Sequence, residues 1–137
     1  MLRTLRERVV AAKKIMIVDD SPTDLAFIGG IVNKSGYEVI LVSSGDAAIR
    51  RAKLEQPNLI VMDLMMPGIN GFEATRMLSR EETTKHIPII ICTKRNQESD
   101  RIWGLRQGAR DFVNKPISKS DLLEKIRALL ALDQVAA

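Results

Sequence analysis

The sequence contains little cysteine, histidine or aromatic residue, and these shortages exclude several classes of protein. Its one cysteine, Cys92, stands in an apolar run, which excludes a disulfide framework and favours a reducing cytoplasm. Its one histidine, His86, precedes a predicted strand at the end away from the acid-rich loops, so we do not expect it to share their chemistry. No apolar run approaches the roughly 20 residues that cross a bilayer, and the N-terminus lacks the apolar core of a secretory signal. We therefore expect a cytoplasmic protein without membrane insertion.

Excess positive charge is confined to the N-terminal segment. The net charge of the chain is +4. The first fourteen residues supply this excess, with one acid, Glu7, and five basic residues: Arg3, Arg6, Arg8, Lys13 and Lys14. A nucleic-acid-binding protein needs a basic stripe on its folded body. Because the rest of the chain is balanced, no nucleic-acid partner is expected.

The length and composition fit one domain with short extensions. The 137 residues are 45% hydrophobic and 28% charged, which is enough for a sizeable core. Apolar residues at three- and four-residue steps also occur near the N-terminus, at Leu2, Leu5, Val9 and Ala12. We predict a basic arm or short helix over 1–13, a domain over 14–131 and a tail over 132–137.

Short apolar runs alternate with amphipathic segments. The runs are mostly β-branched, which is typical of strands buried on both faces; they cover 15–18, 39–42, 59–62, 89–92 and 112–113. Helical periodicity follows each run, at 25–32, 47–52, 72–78, 102–105 and 122–130. Ser21 suits a helix N-cap, and Gly36 and Gly108 suit C-terminal caps. The alternation predicts an α/β fold, a doubly wound five-stranded parallel sheet with five helices. The flavodoxin-like order 2-1-3-4-5 is the arrangement that we assume for such a sheet.

Polar residues follow these strands at one end. Asp19 and Asp20 follow the first strand, Asp63 the third, Thr93 the fourth and Lys115 the fifth. In a sheet of this order the first and third strands are neighbours, so three carboxylates would meet where such sheets bind ligands. Their repulsion must be relieved by protonation or by a cation. Mg²⁺ fits, because it prefers oxygen ligands and keeps positions free for phosphate oxygens.

The same group of residues suits phosphoryl transfer. A carboxylate such as Asp63 can attack a phosphoryl group to form an aspartyl phosphate, provided that the charge on the equatorial oxygens is met. Lys115 and the Thr93 hydroxyl can meet it. Singly, each residue has an ordinary structural explanation, as a turn, strand or loop residue. The prediction depends on their joint position at one end of the sheet.

Four segments resemble the receiver domains of two-component response regulators, and the resemblance runs from about residue 14 to 130. They are IVDDS at 17–21, VMDLMMPG at 61–68, CT at 92–93 and NKP at 114–116. The stretch RIWGLRQGARD at 101–111 resembles, more narrowly, PilH-type regulators of type IV pilus twitching motility. The chain as given is similar to the CheY-like stand-alone class.

The resemblance implies a phosphoacceptor signalling protein rather than an enzyme. It implies Asp63 as the phosphoacceptor, with Mg²⁺ bound directly by Asp20, Asp63 and the Met65 backbone carbonyl and through water by Asp19. It also implies a histidine kinase or phosphotransfer protein as phosphodonor, a downstream protein effector and a cis peptide bond before Pro116.

Three positions depart from the family pattern. Lys94 replaces a usually small residue after the switch threonine and could charge the mouth of the site. Phe112 replaces the usual switch tyrosine, so no hydroxyl can relay the signal there. Met65 is apolar, which could impede the hydrolytic water.

Two other functions stay open at this point. A pseudo-receiver, which binds partners without phosphorylation, would typically have lost an acid or the lysine, and all are present here. A phosphohydrolase of the haloacid dehalogenase type needs a second acid two residues after its nucleophile, where this chain has Met65.

We expect the partner-binding surface on the fourth helix, the fifth strand and the fifth helix. Phe112 is the candidate switch residue, because it could fill space beneath the fourth helix when Thr93 moves toward a phosphoryl group. Four residues are the candidates for contact with a partner: Arg101, Leu105, Lys119 and Lys125.

Overall fold

Five parallel strands form the sheet in this computed structural model, which describes residues 13–95 and 97–136. The strands are β1 (Lys14–Val18), β2 (Glu38–Val42), β3 (Leu59–Met62), β4 (Ile89–Thr93) and β5 (Asp111–Asn114). Their order is β2-β1-β3-β4-β5 and every pair is parallel, which confirms the predicted topology. Every residue of β3 and β4 is buried, as expected for β-branched strands covered on both faces.

A helix follows each strand. The helices are α1 (Pro22–Lys34), α2 (Gly45–Glu55), α3 (Gly71–Arg80), α4 (Glu98–Gln107) and α5 (Lys119–Ala136). The Ser21 side chain caps α1 by accepting the Asp24 amide, as predicted. The left-handed conformation of Gly108, with φ of 117°, ends α4, and Gly36, with φ of 97°, follows α1. All five predicted helices are thus confirmed.

The two faces of the sheet pack against different helices, because successive side chains of a strand point to opposite faces. Ile15 and Ile17 lie in a cluster with residues of α1 and α5. Met16 and Val18 lie in another, with residues of α2 and α3. A third, smaller cluster lies beneath α4, formed by Leu64, Ile91, Ala109 and Phe112 with Phe72 against it. This arrangement leaves the ends of the strands as the exposed edges on which loops can carry a site.

The arm and the tail predicted from the sequence flank the domain at its two ends. The arm or helix predicted over 1–13 lies outside the described residues, except for Lys13, whose carbonyl accepts the Glu38 amide at 2.8 Å. Helix α5 continues to Ala136, so it enters the segment 132–137 that the sequence pattern assigns to a tail. Among the described helices, none combines the length and apolar character needed to cross a bilayer.

Gly71, at the start of α3, lies very close to the backbone of the loop that follows β3. A Cβ atom at this position would collide with the backbone carbonyl oxygen of Asp63 and would lie 2.7 Å from the Cα of Leu64. The Gly71 amide also donates to the Leu64 carbonyl at 3.1 Å. A residue without Cβ is therefore required for α3 to start directly against the loop that follows β3.

Gly71→Ala should destabilise the protein by about 1–3 kcal/mol, because the backbone around Asp63 must shift to admit the methyl group. Urea denaturation followed by circular dichroism measures this change. Gly30→Ala is the matched control, since a Cβ at Gly30 inside α1 would meet nothing within 4 Å. That variant should gain about 0.5–1 kcal/mol from helix propensity. Equal effects of the two substitutions would contradict the close approach.

Candidate functional site

Backbone hydrogen bonds beyond the strands fix the acidic residues. The Asp19 amide donates to the Val42 carbonyl at 3.0 Å, and the Asp63 amide donates to the Val18 carbonyl at 2.9 Å. The sheet hydrogen bonding thus extends one residue past β1 and β3. Because these two strands are neighbours, Asp19 and Asp63 are held at the same edge.

The structure brings the predicted phosphoacceptor, metal-binding and phosphate-contacting residues to one cleft of about 210 Å³ at this edge. The cleft is lined by Asp19, Asp20, Ser21, Asp24, Asp63, Met65, Thr93, Lys94 and Lys115. The Met65 side chain is 57% exposed, so it stands at the mouth of the cleft rather than in the core. Lys94, also exposed, adds a second positive charge to the rim. The predicted convergence of strand ends is therefore present in the fold.

Three carboxylates form a compact cluster in the cleft. One oxygen from each of Asp19, Asp20 and Asp63 lies within 4.8 Å of the other two. Asp19 and Asp63 are only 1% and 5% exposed, whereas Asp20 is exposed. Oxygen donors of high negative charge at this spacing suit a hard divalent cation such as Mg²⁺. The donor set therefore fits the predicted metal.

Asp63 has an unusual protonation equilibrium. Burial of the carboxyl group, followed by the charge of Asp19, raises the pKa of Asp63 from the ordinary 3.8 to about 6. The charge of Lys115 and the backbone amides of Leu64 and Met65 oppose this shift. At neutral pH the carboxylate is still ionised for the most part, and thus available as a nucleophile.

The Lys115 ammonium is the positive charge that lies among these carboxylates. Its Nζ donates to Asp19 Oδ2 at 2.7 Å and to Asp24 Oδ2 at 2.8 Å, and lies 3.8 Å from Asp63 Oδ1. Burial of the ammonium alone would lower the pKa of Lys115, but the hydrogen bonds with Asp19 and Asp24 raise it above its usual value. Lys115 is therefore positively charged at any physiological pH. The Lys115–Pro116 peptide bond is cis, as expected.

Thr93 connects the cleft to the loop that precedes α4. Its side chain is fully buried, and its hydroxyl accepts the Arg95 amide at 3.3 Å. The Arg95 guanidinium in turn forms two hydrogen bonds with Asp100 in the first turn of α4, at 2.6 and 3.3 Å. The Asn114 side chain donates to the Arg95 carbonyl at 3.3 Å. A movement of the Thr93 hydroxyl would thus disturb contacts that reach α4.

Phe112, the predicted switch residue, is 6% exposed and lies beneath α4 in this structure. A Cβ atom at Gly104 would lie 3.5 Å from its ring. The aromatic ring therefore points inward beneath α4 in this structure. Lys125 of α5 contacts the same strand. Its Nζ donates to the Phe112 carbonyl at 2.9 Å and lies 4.0 Å from Asp111 Oδ1.

The other candidates for partner contact are exposed on α4 and α5. Arg101 is exposed and lies 3.6 Å from Glu98 of the same helix. Leu105 is 38% exposed and Trp103 is 50% exposed, so α4 presents apolar side chains to solvent. Lys119 is exposed at the start of α5. These residues lie away from the cleft and do not contribute to it.

Asp24 and the Arg95–Asp100 ion pair were not identified from the sequence pattern. Asp24 stands in the first turn of α1, where an acid is common because it interacts with the helix dipole. The available signal for a role of Asp24 in the cleft was its position five residues after Asp19 and just past the Ser21 cap, which puts it near the end of β1. The pairing of Arg95 with Asp100 depends on the loop conformation, which the pattern of apolar residues does not specify.

In metal-free protein, Asp63→Asn should become increasingly more stable than wild type as the pH rises from about 4 to about 6. The reason is that folded Asp63, with a pKa of about 6, keeps its proton where the unfolded chain, at 3.8, has lost it. The ionised carboxylate then costs at most about 3 kcal/mol at neutral pH, so a gain on the order of 1–3 kcal/mol is expected. Urea denaturation in EDTA at several pH values measures it.

Asp46→Asn, at an exposed carboxylate in the first turn of α2, is the control for this experiment. It should retain the pH dependence of the wild type. A difference between Asp63→Asn and wild type that stays constant over this pH range would contradict the raised pKa.

Comparisons with known proteins agree with this geometry. The family model of the response regulator receiver domain matches residues 15–127 of this chain. PilH of Pseudomonas aeruginosa is 44% identical over 118 residues, which cover 86% of this chain and 98% of that protein. A CheY-like receiver domain protein of Methanospirillum hungatei has a TM-score of 0.85 at 26% identity, covering 92% of this chain and 99% of that one. The receiver domain of a Pseudomonas aeruginosa sensor histidine kinase, with a magnesium ion coordinated in its active site cleft, has a TM-score of 0.82 at 29% identity, covering 88% and 98%. The chain therefore belongs to the response regulator receiver domain family of two-component signalling proteins.

Proposed function

We propose that this protein is a response regulator that accepts a phosphoryl group on Asp63 from a histidine kinase or phosphotransfer protein. The observation that carries the proposal is the position of Asp63, a buried carboxylate beside two other acids with the Lys115 ammonium 3.8 Å away. One cleft thus contains a buried carboxylate suited to act as a nucleophile, a group of carboxylates suited to a divalent cation, and a lysine ammonium. Phosphorylation then changes the surface that a downstream effector binds.

The chain's own residues have separate roles in this reaction. An oxygen of Asp63 forms the new bond to phosphorus as the bond between phosphorus and the donor's leaving atom breaks. Asp19, Asp20 and Asp63, with the Met65 backbone carbonyl, would hold Mg²⁺, which neutralises negative charge on the phosphoryl oxygens. Lys115 offers its ammonium to one of those oxygens, and the Thr93 hydroxyl offers a hydrogen bond to another.

Twitching motility is the pathway that the relatives support best. PilH is matched over 98% of its own length at 44% identity. The segment 101–111 that resembles PilH-type regulators forms most of α4, the turn at Gly108 and the start of β5. We accordingly propose a role in type IV pilus or chemotaxis-like control. The buried, unpaired thiol of Cys92 is consistent with action in the cytoplasm.

Asp63→Asn should abolish Mg²⁺-dependent phosphorylation by acetyl phosphate, because the amide cannot act as the nucleophile. Asp20→Asn should raise the Mg²⁺ concentration required, since one of the three carboxylates is lost. Intact-mass spectrometry of the protein after incubation with acetyl phosphate measures the phosphorylated fraction. Asp46→Asn serves again as the control and should be phosphorylated as wild type. Normal phosphorylation of the Asp63→Asn protein would refute the assignment of the phosphoacceptor.

Signal transmission should depend on the hydroxyl of Thr93 and on the bulk of Phe112. Beryllofluoride with Mg²⁺ should change the fluorescence of Trp103, which lies half-exposed on α4. Thr93→Ala and Phe112→Ala should reduce this change, because the first removes the hydroxyl that contacts Arg95 and the second removes the ring beneath α4. Thr93→Ser and Phe112→Tyr are the matched controls and should preserve it.

A full fluorescence response in both alanine variants would show that the signal does not pass through Thr93 and Phe112.

A Leu105→Arg variant tests the partner surface. Its Trp103 fluorescence response to beryllofluoride should stay intact, whereas its affinity for the downstream effector, once that effector is identified, should fall.

A further inference from the structure

Lys115 is shared unequally among three carboxylates. Its Nζ is at hydrogen-bond distance from Asp19 and Asp24, at 2.7 and 2.8 Å, but is 3.8 Å from Asp63. The Lys115 side chain is 8% exposed, so water does not readily replace these partners. The ammonium is therefore held on the α1 side of the cleft, beyond hydrogen-bond distance of the proposed phosphoacceptor.

Asp24 is the partner in this set that has no other role in the cleft. It does not belong to the compact cluster of carboxylates among the described residues, which consists of Asp19, Asp20 and Asp63. Its backbone is fixed, because its amide donates to the Ser21 hydroxyl at 3.2 Å as part of the α1 cap. The Asp24 side chain is 33% exposed, so its charge is only partly screened by solvent.

A helix-dipole interaction alone does not account for this placement. Acids in the first turn of a helix are favoured at exposed positions without a cation nearby. Here the Asp24 carboxylate turns into the cleft and binds an ammonium that comes from the loop after β5, 91 residues away in the chain. The contact joins α1 to the one lysine that the phosphoryl group needs.

A phosphoryl group on Asp63 would compete with Asp24 for the same ammonium. Asp19 and Asp24 take two of the three N–H donors of Lys115, so the third can point to a phosphoryl oxygen. A shift of the Nζ toward Asp63, from its present 3.8 Å, would lengthen the hydrogen bond to Asp24. The negative charge of Asp24 opposes that movement and also repels an incoming dianion. Both effects act in the same direction.

We propose that Asp24 is a positioning residue that holds Lys115 toward α1 and so limits how tightly the cleft binds a phosphoryl group. This inference rests on the proposed function, because it assigns regulation to the same cleft. It predicts that Asp24 sets the balance between the unphosphorylated and phosphorylated states without contacting the reacting atoms.

Beryllofluoride titration at fixed Mg²⁺, followed by Trp103 fluorescence, tests the proposal. Asp24→Asn should bind beryllofluoride about three- to tenfold more tightly than wild type, as expected for the loss of one competing, partly buried ion pair. Asp24→Glu should stay within about twofold of wild type, because a carboxylate is restored to the same helix turn. Asp46→Asn removes an equal charge from α2 without contact to Lys115 and should also bind as wild type.

A second measurement reads the lysine directly. In metal-free protein, the Lys115 ammonium should be observable by ¹⁵N NMR with slow hydrogen exchange, and Asp24→Asn should accelerate that exchange while Asp46→Asn should not. If wild-type protein shows no beryllofluoride response, the proposed function fails, whereas the ammonium exchange still decides the role of Asp24. Unchanged exchange in Asp24→Asn, or beryllofluoride binding equal to or weaker than wild type, would overturn the proposal.

Discussion

Concentrated negative charge at one edge of the sheet is the constraint on which the rest of the structure depends. Parallel strands bring their carboxyl ends together. Asp19, Asp20 and Asp63 therefore lie close to one another once β1 and β3 pair. Lys115 offsets part of this charge from the far side of the sheet order, through the loop after β5. The pKa of Asp63 is raised nonetheless, first by burial of the carboxyl group and then by the charge of Asp19, which Lys115 opposes only in part. The fold itself thus creates an excess of negative charge that a divalent cation would offset.

The link from the cleft to the outer surface is short because the contacts are consecutive. Thr93 ends β4, its hydroxyl accepts the amide of Arg95, and Arg95 binds Asp100 in the first turn of α4. On the other side, Lys125 of α5 binds the carbonyl of Phe112. A change at the Thr93 hydroxyl therefore needs to pass through only one loop to reach the helix that carries Trp103.

The sequence was sufficient where one local signal determines the structure. Short β-branched runs without polar interruption, such as 59–62 and 89–92, are typical of strands covered on both faces, and the residues directly after such parallel strands share one edge. It was insufficient where a side chain chooses among several partners. Asp24 resembles an ordinary first-turn acid until the loop after β5 brings Lys115 to it. The inward position of Phe112 likewise depends on how α4 packs, which periodicity does not reveal.

The small cluster beneath α4 has a consequence for local unfolding. Among the described residues, four buried apolar side chains form it, against thirteen and twelve in the clusters on the two faces of the sheet. Gly104 adds no side chain where α4 crosses Ile91 and Phe112. The free energy that opens α4 alone should then be well below that of global unfolding. Backbone amides of α4 would exchange with solvent through such openings while those of β1 and β3 stay protected. The helix that we propose to report the state of the cleft would thus open more easily than the central strands.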